Sequence, residues 1–184
     1  MQAPLAIVNQ HEDQLTAALK KELAPAPVAI YPQFSRQLPL AATLCWLAPR
    51  KAPVDELVMG LVQLVDDGHA PAKMVMLAAA GICNDVDEAG LRQLYGDDYQ
   101  DLLFAHQYVV KMVDELEIPY TVIRVPRLTN VISPSVITPE NQPVASLQLN
   151  RDQLVKTIAR AMTTDQLVNQ SIGLSNEVKE SGTL

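Results

Sequence analysis

The chain has 184 residues, 48% of them apolar and 4% aromatic, and a formal net charge of −7. That length supports one compact domain with an aliphatic core. The acidic balance argues against non-specific attraction to nucleic acid or an anionic membrane, both of which favour a basic surface, and two cysteines are too few for a disulfide framework.

Those cysteines, Cys45 and Cys83, sit in or beside apolar runs and read as free thiols of a reducing cytoplasm. The opening MQAPLAIVNQHEDQ has a short apolar run with no basic region before it, so no signal peptide is expected. No apolar stretch has the length of a bilayer span. A cytoplasmic protein is the expectation.

Leu5 to Val8 is a continuous apolar run, as in a strand buried on both faces. After polar Asn9 to Asp13, the residues Leu15, Ala18, Leu19 and Leu23 recur at helical spacing. Lys20 and Lys21 lie in the closing turns, where cations complement the helix dipole. Pro25 and Pro27 stop this helix, and Val28 to Tyr31 is a second strand. Gln33 to Leu40 is irregular, Ala42 to Leu47 a third strand, and Ala48 to Pro53 a loop. Pro53, Asp55 and Glu56 suit the start of a helix whose Leu57, Val58, Leu61, Val62, Leu64 and Val65 form a broad apolar face. Gly68 and Pro71 mark its end.

Lys73 to Asn130 reads as strand, loop, long helix, strand. KMVMLAAAGI supplies the first strand, and a short helix is expected around Glu88 to Leu94. Asp97 and Asp98 precede the long helix as N-terminal caps. Its predicted inner stripe is Leu102, His106, Val109, Val113 and Leu116, with His106 read as a satisfied core histidine. Pro119 ends the helix and Tyr120 to Val125 is the next strand. Ser133 to Pro143 reads as a surface excursion and Ala145 to Leu149 as a short strand. Asn150 to Gln153 has capping-box spacing and opens a helix with the stripe Leu154, Val155, Ile158, Ala159 and Met162. Asn169 to Leu174 is a last strand, and 175–184 reads as a flexible tail.

Alternating strands and helices predict an α/β fold, a doubly wound, mostly parallel sheet of the Rossmann-like kind, in a single domain over residues 1–184.

Three segments carry a family resemblance: KMVMLAAAGI, DELEIPYTVIRVPRLTN and LQLNRDQLVKTIARAM. They resemble, in order and spacing, the NmrA-like, NAD(P)-binding branch of the atypical short-chain dehydrogenase/reductases. The first half of the chain matches in element order and hardly in motif. The resemblance implies an NAD(P) site at the carboxyl ends of the first strands, where strand order reverses. It implies cofactor contacts from the first turn (Asn9, His11), from Arg36 after the second strand toward a 2′-phosphate, from Ala48 and Pro49 after the third, from Ala78 and Ala79 on the central strand, and from the turn at Pro126. Arg50 and Lys51 could draw in an anion or could be an ordinary solvated loop.

The sequence departs from the family pattern at the places that carry chemistry. The first turn has no glycine, although the backbone there must approach a pyrophosphate and offer N–H groups at a helix start. Glu12 and Asp13 put negative charge where the diphosphate would lie, while Asn9 offers a simple cap. The central strand ends in Ala78-Ala79-Ala80, so the family's catalytic hydroxyl is missing. The candidates for a catalytic pair are Tyr108 and Lys111, three residues apart where the family has four.

Other chemistries have little support. His11, His69 and His106 lie on separate elements, and no zinc spacing occurs, so no metal site is expected. Asp85, Asp87 and Glu88 read as a solvated acidic loop without calcium-loop spacing. Ser133 and Ser135 lack a nucleophile elbow. Two functions remain. One is a binding or regulatory protein on an NAD(P)-binding fold whose cofactor capacity is impaired or lost. The other is an NAD(P)H-dependent oxidoreductase that holds its cofactor through Arg36, Arg50, Lys51 and the turn at Pro126. The expected partner is a dinucleotide or other small molecule. The apolar faces of the 53–67 and 98–116 helices leave room for a homodimer or for ordinary core packing.

Overall fold

A computed structural model describes residues 3–51 and 53–178. Each apolar run becomes a strand and each 3.6-periodic segment a helix. In chain order these are β1 (Leu5–Val8), α1 (Gln14–Leu23), β2 (Val28–Tyr31), β3 (Thr43–Trp46), α2 (Val54–Asp66), β4 (Lys73–Ala79), α3 (Glu88–Tyr95), α4 (Tyr99–Glu115), β5 (Tyr120–Val125), β6 (Arg127–Thr129), β7 (Ser135–Thr138), β8 (Gln148–Asn150), α5 (Arg151–Thr163) and β9 (Gln170–Asn176).

Seven strands form one sheet in the order β2-β1-β3-β4-β5-β9-β7. All neighbours are parallel except β7 against β9. The chain first winds outward from β1 to β2, then crosses back over β1 to β3. That reversal opens a crevice between the carboxyl ends of β1 and β3. β4 lies at the centre, and all seven of its residues are buried, which is what an uninterrupted apolar run requires. Its first residue, Lys73, keeps its amine satisfied by donating 2.8 Å to the Thr164 carbonyl.

Alternate residues of each strand feed two separate cores. Ala6, Val8, Leu44, Trp46, Met74, Met76 and Val122 point to the face covered by α2 and α4. Leu5, Ile7, Cys45, Val75, Leu77 and Ile123 point to the face covered by α1 and α5. The broad apolar faces of α2 and α4 are therefore core: Val58, Leu61, Leu64, Val109 and Val113 are buried against the sheet. The inner set of α4 is Tyr99, Leu103, His106, Val109 and Val113. Leu102 and Leu116, both expected in that stripe, are only half-buried. Buried Cys45 and half-buried Cys83 are free thiols, and burial pushes the Cys45 thiol pKa well up.

Several local expectations change in three dimensions. The segment read as a surface excursion contains β7, which pairs with the end of β9 through Ser135–Asn176 and Thr138–Gly173. An edge strand needs one neighbour and no apolar run, so its sequence carries little signal. β6 and β8 form a small second ribbon. β9 runs through Asn176, with Ser175 and Asn176 buried, so it includes the first residues of the expected tail. Residues 179–184 of that tail lie outside the described residues. The capping box is half formed. Asn150 Oδ1 accepts from Gln153 N–H at 3.1 Å, while the Gln153 side chain accepts from Ser135 Oγ at 3.3 Å.

Candidate functional site

The crevice above β1, β3, β4 and β5 holds a cavity of about 390 Å³. Leu77, Ala78 and Ala79 form its floor, and Leu47, Ala48, Pro49 and Arg50 follow from β3. Asn9, His11, Asp13 and Leu15 come from the first turn and the start of α1, Val125 and Leu128 from the far side, and His106 from α4. Of the residues assigned to cofactor binding in the sequence, Asn9, His11, Ala48, Pro49, Ala78 and Ala79 all line this one cavity.

Its geometry at α1 bears directly on anion binding. The Asn9 N–H donates to Tyr31 O at 2.9 Å, which ties the turn to β2. The N-cap is Asp13, and not Asn9 as the sequence suggested. Asp13 Oδ1 accepts from the Thr16 N–H at 2.9 Å and from the Thr16 hydroxyl at 3.0 Å. Asn9 Nδ2 donates to the same hydroxyl at 2.8 Å. Asn9 is too far back along the turn to cap directly and acts through Thr16. A helix N-terminus attracts phosphate because its first amides lack partners. Here the chain's own carboxylate takes one of them and brings a negative charge to the cavity wall. Glu12 is exposed and does not line the cavity, so of the two acids suspected of opposing a diphosphate, only Asp13 reaches it.

Arg50 crosses the cavity. Its Nη2 donates to Val125 O at 3.3 Å and to Pro126 O, and its guanidinium lies 5.6 Å from the centre of the Tyr95 ring. Burial holds its pKa below the ordinary arginine value, with Arg127 adding to the decrease and Tyr95 opposing it. Nη1 and Nε make no hydrogen bond among the described residues. Burial also pushes the Tyr95 hydroxyl up to about 12, and that hydroxyl donates 2.8 Å to Ala80 O. Lys51 is exposed and does not line the cavity. Pro126 is buried and contributes its carbonyl to Arg50.

His106 was expected to be a satisfied core histidine. It is core, at 2% exposure, but neither ring nitrogen has a hydrogen-bond partner among the described residues. Burial, reinforced by Arg50, lowers its pKa to about 4, so the ring is neutral at pH 7. Its helical position could have signalled this. α4 runs antiparallel to the strands, so the inner residues of its first turns lie beside the strands' carboxyl ends.

The remaining candidates lie elsewhere. Tyr108 and Lys111 face outward: Tyr108 is 44% exposed, and Lys111 pairs with Glu115 at 3.6 Å. Residue 108 lies about 200° around the helix from residue 106, at about 100° per residue, so both cannot face the sheet. Arg36 is carried away from the cavity. β3 runs parallel to β2, and the connection must return to the opposite end of the sheet. There Arg36 pairs with Asp67, just beyond α2, at 2.9 Å.

No protein-family model and no curated protein sequence matches the chain. Solved structures do. A short-chain dehydrogenase/reductase of Veillonella parvula in complex with NADP is 15% identical, with a TM-score of 0.72 over 100% of this chain and 97% of that one. An ethylated short-chain dehydrogenase/reductase from the same organism has a TM-score of 0.76 at 15% identity, over 100% and 96%. ChuY, an anaerobillin reductase of Escherichia coli, has a TM-score of 0.72 at 12% identity, over 97% and 100%.

The fold is Rossmann-like.

Within a Rossmann-like crevice a dinucleotide needs a close backbone approach and free amides at the first turn. This crevice offers Asp13 and the Leu15 side chain there instead. At the centre, β4 ends in alanines, so no hydroxyl projects from it. His106 lines the cavity with both ring nitrogens buried, and the polar side chains that reach it are Asp13, His11, Asn9 and Arg50. They can orient a ligand and exchange hydrogen bonds with it. Among the described residues no helix is long and apolar enough to cross a membrane.

Proposed function

We propose that this protein is a small-molecule-binding or regulatory protein built on the NAD(P)-binding scaffold, of the NmrA-like atypical short-chain dehydrogenase type, with its conventional cofactor site impaired. One observation carries the reading: the Asp13 carboxylate accepts the Thr16 amide where a diphosphate would be received. The mostly apolar cavity suits a compact, uncharged or weakly polar ligand oriented by hydrogen bonds to Asn9 or Arg50.

A second reading is an NAD(P)H-dependent oxidoreductase. Arg50 supports it, with guanidinium N–H groups left over inside the cavity, as does the likeness to a protein solved with NADP. Bound cofactor would supply the hydride, and this chain would supply orientation. Arg50, Ala48, Pro49 and Ala78 are the residues placed to border it.

Calorimetric titration with NADPH and NADH separates the two. The expected result is no saturable binding at micromolar concentration. Saturable micromolar binding of either nucleotide would overturn the impaired-site reading and favour the oxidoreductase.

A further inference from the structure

β7 ends the sheet, and among the described residues β9 is its one strand neighbour. The Pro134 carbonyl accepts from Glu177 N–H at 2.9 Å, which sets the alternation of the antiparallel ladder. Val136, opposite Ser175, and Thr138, opposite Gly173, turn their backbone groups to β9. Ser135 and Ile137 therefore direct their N–H and C=O groups outward, and an open edge of that kind is a template for another strand. Beside the start of this edge, Ile132 is 95% and Val178 59% exposed.

A groove of about 240 Å³ runs between the edge and α5. Ser135, Ile137 and Leu174 line its sheet side, and Lys156 and Arg160 its helix side. Both cations are exposed, and neither forms an ion pair among the described residues. In a chain of net charge −7, two neighbouring unpaired cations along an open strand edge complement an acidic partner. Their spacing narrows the choice. Four residues of helix separate them by about 6 Å along the axis, and residues i and i+2 of an extended strand are about 7 Å apart. A strand added to β7 would place alternate side chains on the α5 side. Acids two residues apart would then meet Lys156 and Arg160 together, with an apolar residue at the segment's end against Ile132 and Val178.

We propose that the β7 edge and the Lys156–Arg160 face of α5 form a docking site for an extended acidic segment of another protein. The segment adds as an eighth strand, and two of its carboxylates, two residues apart, pair with Lys156 and Arg160.

Fluorescence anisotropy with a labelled synthetic peptide, TVDVDVT, tests it. Saturable binding at submillimolar concentration is expected. The peptide TVDDVVT has the same composition with the acids adjacent, and is expected to bind several-fold more weakly. Lys156→Glu and Arg160→Glu are each expected to weaken TVDVDVT about tenfold. The double variant Lys156→Glu/Arg160→Glu is expected to take TVKVKVT in its place. Ile137→Pro removes an outward N–H without a ladder bond to β9, and is expected to weaken binding with the helical circular dichroism retained. The charge variants lie at exposed positions and carry the test if the proline variant does not fold. Failure of TVDVDVT to saturate up to millimolar concentration overturns the proposal. So does equal binding of TVDDVVT, or indifference to both single charge reversals. A dimer that Ile137→Pro abolishes and TVDVDVT does not dissociate would make a second copy of the chain the occupant, and would overturn it too.

Discussion

Asp85 and Arg124 form an ion pair closed off from water. Oδ2 of Asp85 accepts from Nε of Arg124 at 2.8 Å, and both side chains are 0% exposed. The other oxygen, Oδ1, accepts the Gly81 N–H at 2.6 Å. Arg124 also donates to Ser171 Oγ at 2.6 Å and to the Pro139 carbonyl at 3.2 Å. One pair thus ties the loop after β4 to β5, β9 and the end of β7. In sequence, Asp85 belongs to an acidic loop with Asp87 and Glu88. In the structure the three have separate tasks: Asp87 caps α3 by accepting from Gly90 N–H at 2.8 Å, and Glu88 pairs with Arg92 at 2.8 Å.

Removing one partner of a buried pair leaves an uncompensated charge, which costs about 3–5 kcal/mol. Asp85→Ala is expected to lose stability of that order, against about 1 kcal/mol for loss of the Asp87 cap. Urea unfolding followed by the fluorescence of Trp46, the single tryptophan, measures both. Equal losses would show that the pair has no special weight.

His106 sets a pH dependence. Its pKa falls from 6.5 to about 4 in the fold because burial disfavours the charged ring. Between those values the unfolded chain binds the proton and the native chain does not, so stability rises with pH across that window. The contribution is fully present above about pH 6.5. It is lost as pH falls through 4, and amounts to about 3 kcal/mol at most. His106→Leu removes the titration and two unpartnered nitrogens. The variant is expected to hold its stability between pH 7 and pH 5 better than the wild type does. Parallel pH profiles for the two proteins would refute this.

Asp13→Ser separates capping from charge. Serine caps a helix about as well as aspartate does, so stability should change by no more than about 0.5 kcal/mol. Without the carboxylate, NADPH binding is expected to become measurable in the same calorimetric titration, where the wild type is expected to show none that saturates. An unchanged titration would remove Asp13 as the obstacle and leave the missing glycines as the reason. Asp13→Ala serves as the control and is expected to lose about 1 kcal/mol with the cap.

Gly81 supports the Asp85 pair through its backbone. Its φ is +104°, and a Cβ there would come within 2.4 Å of Leu91 Cδ2. Gly81→Ala therefore combines an unfavourable backbone with a clash, and a loss of about 1–3 kcal/mol is expected. An alanine variant as stable as the wild type in thermal unfolding would show that Leu91 and the loop give way freely.

The sequence by itself determined the alternation of strands and helices and the doubly wound class. Burial on both sheet faces is written as continuous apolar runs such as Met74 to Leu77, and helix packing as a 3.6 period such as that of α5. It also determined that the first turn holds no glycine and that the central strand ends in alanines, because those are facts of composition at fixed places. Only the tertiary structure decided which polar groups meet. Arg36 was placed beside the second strand by its number in the chain, but the return to β3 carries it to Asp67. Tyr108 and Lys111 have nearly the right spacing, but the rotation of α4 that buries Val109 turns them to solvent and turns His106 to the cavity. β7 and the buried Asp85 depend on partners tens of residues away, and local patterning carries no record of such pairings.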